Sequence, residues 1–252
     1  MKKSALLPIL IAMIFMSRSA FAQGTDDSRL FHFGLKVAPA LSWFKPNDKK
    51  FTNDGSKLGF GYGLITEFGF SKNYAFSTGL EVLNAGGKLG FPKSPDSTFY
   101  LVLNEDVTPS RTDTFLLQQR NYKLRYVNLP LLLKLKTNQL GAMTYFGQFG
   151  FDLSFKWQAM ADDDVILNGT PSTRNTVDIS KDINFIRLAL NVGLGAEYNL
   201  AGSTSLVFSL NYNNGFTNAL RKNSKMLYNK KFNALVQNAI FNYVGLTIGV
   251  LF

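Results

Sequence analysis

Cysteine is absent from the 252 residues, and histidine occurs once, at His32. The first absence excludes a disulfide framework, a thiolate metal site and a lipid-modified N-terminal cysteine. The second leaves a Ser–His hydrolase mechanism a single base to draw on. Charged residues are also scarce, at 17%, whereas 46% are hydrophobic and 14% aromatic, with 23 Phe. A disordered chain has the opposite balance. Beyond residue 22 no apolar run approaches the ~18 residues of a spanning helix. A globular fold, or a membrane protein that crosses by strands, remains.

Residues 1–22 have the three parts of a secretory signal. Lys2 and Lys3 form the basic start, residues 5–16 the apolar stretch, and Ala20-Phe21-Ala22 the small–x–small site before Gln23. Pro8, Ser17 and Arg18 break the stretch too early for a membrane anchor. Cleavage after Ala22 is expected, leaving a short periplasmic segment, 23–29, and one domain, 30–252. The formal charge of +10 then falls: without Lys2, Lys3 and Arg18, 24 basic residues face 17 acidic ones, about +7.

The rest of the chain alternates with a period of two. In 143–157, Met143, Tyr145, Phe149, Phe151, Leu153, Phe155 and Trp157 share one face, opposed by Gln148, Asp152, Ser154 and Lys156. Segment 186–198 repeats the pattern, with Ile186, Leu188, Leu190, Val192 and Leu194 against Arg187, Asn191, Gly195 and Glu197. Segments 31–37, 60–70, 74–82, 127–135, 206–212 and 244–252 read the same way, giving eight strands. Alternation alone fits a soluble barrel with its apolar face inward or a membrane barrel with that face outward.

Other features choose between them. The opposite faces are rich in Gly, Ala, Ser and Thr with isolated charges, which suits the narrow interior of an eight-stranded barrel. Tight connections at 71–73, 137–142 and 199–203 alternate with long ones at 40–57, 85–119, 158–181 and 214–238, the outer-membrane arrangement of short periplasmic turns and long external loops. An open edge is untenable in hydrocarbon, so the first and last strands must pair. The expected fold is all-β: an eight-stranded antiparallel transmembrane β-barrel in the outer membrane of a Gram-negative bacterium, both termini periplasmic. Segment 127–135 must extend upstream to cross. Tyr122, Leu124 and Tyr126 have even parity while the apolar face below them is odd, so a bulge near Tyr126 is expected to bring them onto that face. Pro130 cannot donate to a ladder and calls for a bulge or a position where no bond is made.

Two resemblances add to this. The last strand, with Val244, Leu246, Ile248, Val250 and terminal Phe252 at alternate positions, resembles the C-terminal signal that the barrel-assembly machinery reads in bacterial outer-membrane barrels. The run Tyr126-Val127-Asn128-Leu129-Pro130-Leu131-Leu132-Leu133-Lys134 and the opening Phe31-His32-Phe33-Gly34-Leu35-Lys36 resemble those of the PorT-like outer-membrane barrels of Bacteroidetes-type envelopes. That resemblance implies a non-enzymatic envelope component linked to type IX protein secretion or to envelope organisation, with other envelope or secretion-system proteins as partners. The alternatives are a small porin-like channel, against which the strand number argues, and a lipid-modifying enzyme, against which the lone His32 near the periplasmic end argues.

No catalytic, metal or cofactor-binding residue emerges. Lys36, Glu67, Glu81, Lys134, Asp152, Lys156, Arg187 and Glu197 fall on lumen faces with mixed signs, so a packed ionic plug is expected. The Asp162-Asp163-Asp164 run lacks Ca²⁺-loop spacing and reads as a solvated loop tip. Arg221, Lys222, Lys225, Lys230 and Lys231, interleaved with apolar residues, suit anionic lipopolysaccharide of the outer leaflet or a solvated basic loop; nucleic acid is not an expected partner of an exported barrel. The 35-residue connection 85–119 exceeds what a link requires and is a candidate docking segment.

Overall fold

The computed structural model describes residues 31–47, 51–91, 99–102, 114–167, 169–221, 226–228, 233–234 and 238–252. The signal segment with Ala20, Ala22 and Gln23, and segment 23–29, lie outside the described residues. The chain forms strands β1 (Phe31–Pro46), β2 (Thr52–Ser71), β3 (Tyr74–Gly90), β4 (Phe99–Val102), β5 (Thr114–Lys136), β6 (Met143–Leu167), β7 (Thr170–Asp178), β8 (Ile186–Ala201), β9 (Thr204–Asn218), β10 (Met226–Tyr228), β11 (Asn233–Ala234) and β12 (Ala239–Leu251). No helix occurs among the described residues.

Eight of these strands close a ring, β1-β2-β3-β5-β6-β8-β9-β12, through antiparallel pairing of β1 with β12 from Gly34↔Leu251 to Pro46↔Ala239. All eight segments expected from alternation are in it. β7 widens the wall beside β6, and β4, β10 and β11 build outward from β5 at the end away from the tight turns. Both Phe31 and Phe252 lie at the short-turn end, where the Phe252 N–H donates to the Phe33 carbonyl at 2.8 Å.

Burial is the reverse of a soluble protein's. Leu35 is 61% exposed and Leu194 72%, whereas Glu67 is 1% and Lys134 0%. Val244, Leu246, Ile248 and Val250 of β12 also face outward. The apolar belt is edged by aromatics at both ends: Phe70, Tyr74, Tyr145 and Tyr198 near the short turns, and Phe60, Tyr62, Trp157 and Tyr212 at the other side. Aromatic girdles of this kind mark the two membrane–water boundaries of outer-membrane barrels.

The long connections are shorter than the sequence suggests, because the wall continues beyond the belt. β1 runs to Pro46 and β2 starts at Thr52, so most of 40–57 is strand. β5 and β6, at 23 and 25 residues, are about twice what a tilted crossing needs. Above the belt the two faces exchange character, since water lies outside and the apolar residues turn inward.

This exchange corrects the reading of β5. Tyr122, Leu124 and Tyr126 point into the lumen, as do Asn128, Leu132 and Lys134 below them, and β5 keeps one parity from Arg120 to Lys134. The expected irregularity exists, but its extra residue is in β6: Arg125 pairs with Gln158 and Tyr126 with Lys156, leaving Trp157 unpaired and 61% exposed. Below the bulge Asp152 and Ser154 face inward; above it Ala159, Ala161, Asp163 and Val165 do. Pro130 sits without any bulge. The β3–β5 ladder omits Leu129 and Pro130 and resumes in the same register, and the β1–β12 ladder does the same at Ala38 and Pro39. Each proline lacks its donor where no bond is made.

Candidate functional site

Position along the strands sorts the lumen into three levels. Nearest the short turns, Lys134 of β5 reaches Glu67 of β2 and Glu197 of β8, the latter at 2.5 Å. Lys136 closes the square, 2.8 Å from Glu67 and 2.9 Å from Glu197. The Lys134 ammonium also lies 3.8 Å from the centre of the buried Phe146 ring, a cation–π contact that further offsets its desolvation. Below this square the mouth opens into a cavity of about 540 Å³ lined by His32, Glu67, Lys72, Tyr74 and Lys136. His32 stands opposite Glu67 in the β1–β2 register.

At mid-height Lys36 pairs with Glu81. Asp152 is held differently, by neutral donors: Asn191 Nδ2 at 3.0 Å, Asn213 Nδ2 at 2.6 Å and Tyr243 Oη at 3.2 Å. Asn213 turns its amide oxygen to Arg187, whose guanidinium also donates to the Phe241 carbonyl at 2.8 Å and to Ser154 Oγ at 3.3 Å. A single amide thus links a buried cation and a buried anion through opposite ends of its dipole, which satisfies both without direct contact. The space left among Lys36, Glu81, Asn128, Asp152 and Asn191 is about 40 Å³, room for little more than water.

The third level is apolar. Phe44, Tyr122, Tyr126 and Phe241 are fully buried and pack ring against ring, Phe44 lying 4.7 Å from Tyr122 and 5.3 Å from Phe241. Ile179 and Ile183 of the segment between β7 and β8 are buried in the same cluster, so this segment folds into the far mouth. Polar ties hold it there: Arg120 makes a two-pronged pair with Asp163 and reaches Asp182 at 3.2 Å, and Asn184 donates to the carbonyls of Asn218 and Leu220.

The sequence places several of these residues otherwise. Lys36, Glu67, Glu81, Lys134, Asp152, Arg187 and Glu197 lie in the lumen within the two charged levels. Lys156 does not join them: its ammonium donates to the carbonyls of Ser180 and Ile183, the latter at 2.9 Å, and fastens the far-mouth segment. The Asp162–Asp164 run is no solvated tip but wall of β6. Asp163 is fully buried against Arg120, Asp162 pairs with Lys123 at 2.6 Å, and Asp164 accepts from Thr173. Of the basic group, Arg221 is exposed, and Lys222, Lys225, Lys230 and Lys231 lie outside the described residues. Arg120, Lys136, Asp182 and the aromatic level escape sequence reasoning. For Arg120, Tyr122, Tyr126 and Lys136 the signal was the even parity of β5 from Arg120 to Lys136, legible once the belt's upper edge is known.

Among the described residues no group of three or more His, Asp or Glu could hold a metal ion. Residues 21–221 match the family described as Outer membrane protein beta-barrel domain. The chain belongs to that family. This outer-membrane barrel is similar to neisserial surface protein A (14% identity over 88% of this chain and 96% of that one, TM-score 0.43). It is also similar to OprG of Pseudomonas aeruginosa (13%, 88% and 95%, TM-score 0.43) and to Ail, the attachment invasion locus protein of Yersinia pestis (12%, 89% and 100%, TM-score 0.35). No curated protein matches the sequence.

Proposed function

We propose that this outer-membrane barrel is neither a channel nor an enzyme but an envelope component that works through its outer wall and far-end connections. In the manner of the PorT-like barrels it resembles, it would serve protein secretion of the type IX class or envelope organisation in a Bacteroidetes-type cell. The observation that supports this reading is the filled lumen: a charged square, a hydrogen-bonded layer and an aromatic plug occupy successive levels, leaving about 40 Å³ at mid-height. With nothing to pass and a single histidine at the short-turn mouth, the surfaces left to act are external. The reading includes removal of residues 1–22, recognition of Val244, Leu246, Ile248, Val250 and Phe252 by the assembly machinery, and both termini in the periplasm.

The test has two arms. Purified protein in a planar bilayer should show no steady ion current; a steady current would favour the channel. Crosslinked outer membranes should yield secretion-machinery or other envelope proteins with the barrel, and recovery of lipid alone would remove the secretion reading.

A further inference from the structure

A basic groove lies on the outside of the wall formed by β2, β3, β5 and β6, where the apolar belt ends. Lys57, Lys123 and Arg125 line it together with Asn84 and Gln158, around a space of about 500 Å³. Its height follows from the strands. From Phe70 to Phe60, from Tyr74 to Asn84 and from Leu135 to Arg125 is eleven residues each, inclusive, which matches the roughly 9–11 tilted residues of a hydrocarbon crossing. The cations therefore sit at the level of lipid headgroups, beside the girdle residues Phe60 and Trp157.

The groove is built rather than incidental. A register shift between Ser56 and Phe60 lies on one side of it and the Trp157 bulge on the other, and bulges re-aim side chains. At Gly86 of β3 a Cβ would stand 3.1 Å from Lys57 Cδ, so the bare glycine is the floor across which Lys57 reaches the Tyr122 carbonyl on β5, at 3.4 Å. That reach brings a half-buried ammonium within the field of Lys123 and Lys88, with Asp162 as the nearby counter-charge. Asp162 is itself engaged by Lys123. Arg125 donates its Nε–H to Asn84 at 2.7 Å and lies over the Trp157 ring at 5.6 Å. Its terminal nitrogens are then presented in a fixed plane, the geometry that suits a phosphate.

We infer that this groove seats a phosphate-bearing headgroup of an outer-leaflet lipid, of the lipopolysaccharide type, with Lys57, Lys123 and Arg125 as its ligands. The inference rests on the orientation proposed above, which puts the far end of the barrel outside the cell. It locates lipid recognition on the wall rather than in the basic connection of Lys222, Lys225, Lys230 and Lys231. An anion here relieves the repulsion among the cations and gains charge-assisted bonds at the edge of a low-dielectric layer.

The test is native mass spectrometry of the protein extracted from the outer membrane, delipidated in neutral detergent and titrated with bis-phosphorylated lipid A. Wild type should retain the lipid, and the Lys57→Gln/Lys123→Gln/Arg125→Gln variant should bind at least roughly tenfold more weakly, each lost phosphate contact being worth on the order of tenfold. If the triple variant fails to fold, Arg125→Gln alone, at an exposed position, should show a smaller loss in the same direction. Unchanged binding by these variants, or loss only on neutralising Lys222, Lys225, Lys230 and Lys231, overturns the groove. Equal saturation of the site by inorganic phosphate alone overturns the lipid as its source. Orientation is read separately by labelling Asn47→Cys on intact cells with an impermeant maleimide. Labelling is expected; protection with lipid A binding intact would overturn the orientation and the outer-leaflet occupant while leaving the groove's phosphate chemistry standing.

Discussion

Arg120 and Asp163 stand directly opposite each other on β5 and β6 and close a two-pronged ion pair, Nε to Oδ1 at 2.6 Å and Nη2 to Oδ2 at 2.8 Å. Both side chains are excluded from solvent, at 2% and 0% exposure. Neutralising Asp163 leaves the buried guanidinium to its longer, 3.2 Å contact with Asp182. Asp163→Asn should cost about 3 kcal/mol, the low end for a broken buried pair because Asp182 remains, while Arg120→Met combined with Asp163→Leu should cost far less. Urea titration of the barrel folded in lipid vesicles measures both, and an Asp163→Asn protein as stable as wild type would contradict the assignment.

Ring closure depends on close approach at Gly34. A Cβ there would lie 1.8 Å from the Val250 carbonyl oxygen, in the seam between the first and last strands. Gly34→Val should keep the seam from forming and abolish the heat-modifiable compact band on unboiled gels. Gly141→Asn is the control: the backbone is left-handed there (φ +64°), nothing lies within 4 Å of an added Cβ, and asparagine tolerates that conformation. A compact band from the Gly34→Val protein would refute the argument.

Trp157 is the extra residue of the β6 bulge: Lys156 pairs with inward Tyr126 and Gln158 with outward Arg125, so the two faces alternate regularly once Trp157 is left out of the count. Its deletion should therefore keep Ala159, Ala161, Asp163 and Val165 inward and assemble. One alanine inserted between Gln158 and Ala159 would turn those four residues to the outer face and should fail to fold. Protease resistance of the outer-membrane fraction distinguishes them; a deletion protein that fails while the insertion assembles would contradict the register.

Acid should loosen the far mouth through Asp178. Its carboxylate accepts the Ser180 N–H at 2.8 Å, and the bonds to Ser180 hold it below the usual carboxylate range. A depressed acid favours the folded turn above its unfolded pKa of about 3.9 and loses that effect as pH falls through the lower folded value. Hydrogen exchange of residues 179–184, corrected for intrinsic rates, should be level from neutral pH to about 5 and rise below about 4. Asp178→Asn should remove this step. An unchanged step in that variant would assign it to another group.

The alternation of Met143–Phe155 or Ile186–Leu194 is a local property, so the chain alone determined the eight strands of the ring and their period, and the small residues opposite the apolar face together with the alternating connection lengths pointed that face to lipid. The chain could not determine where the lipid stops. Tyr122, Leu124 and Tyr126 look like belt residues, yet they turn inward because water, not hydrocarbon, surrounds the barrel at their height, and there an apolar side chain gains by entering the lumen. Charge placement divides in the same way. Alternation assigns Lys134, Glu67 and Glu197 to the inner face, but their meeting depends on β2, β5 and β8 bending around one axis. Arg120 and Asp163, and the cluster of Lys57, Lys123 and Arg125 over Gly86, arise from the register of strands far apart in the chain. Period is written residue by residue; register and curvature exist only once the ring has closed.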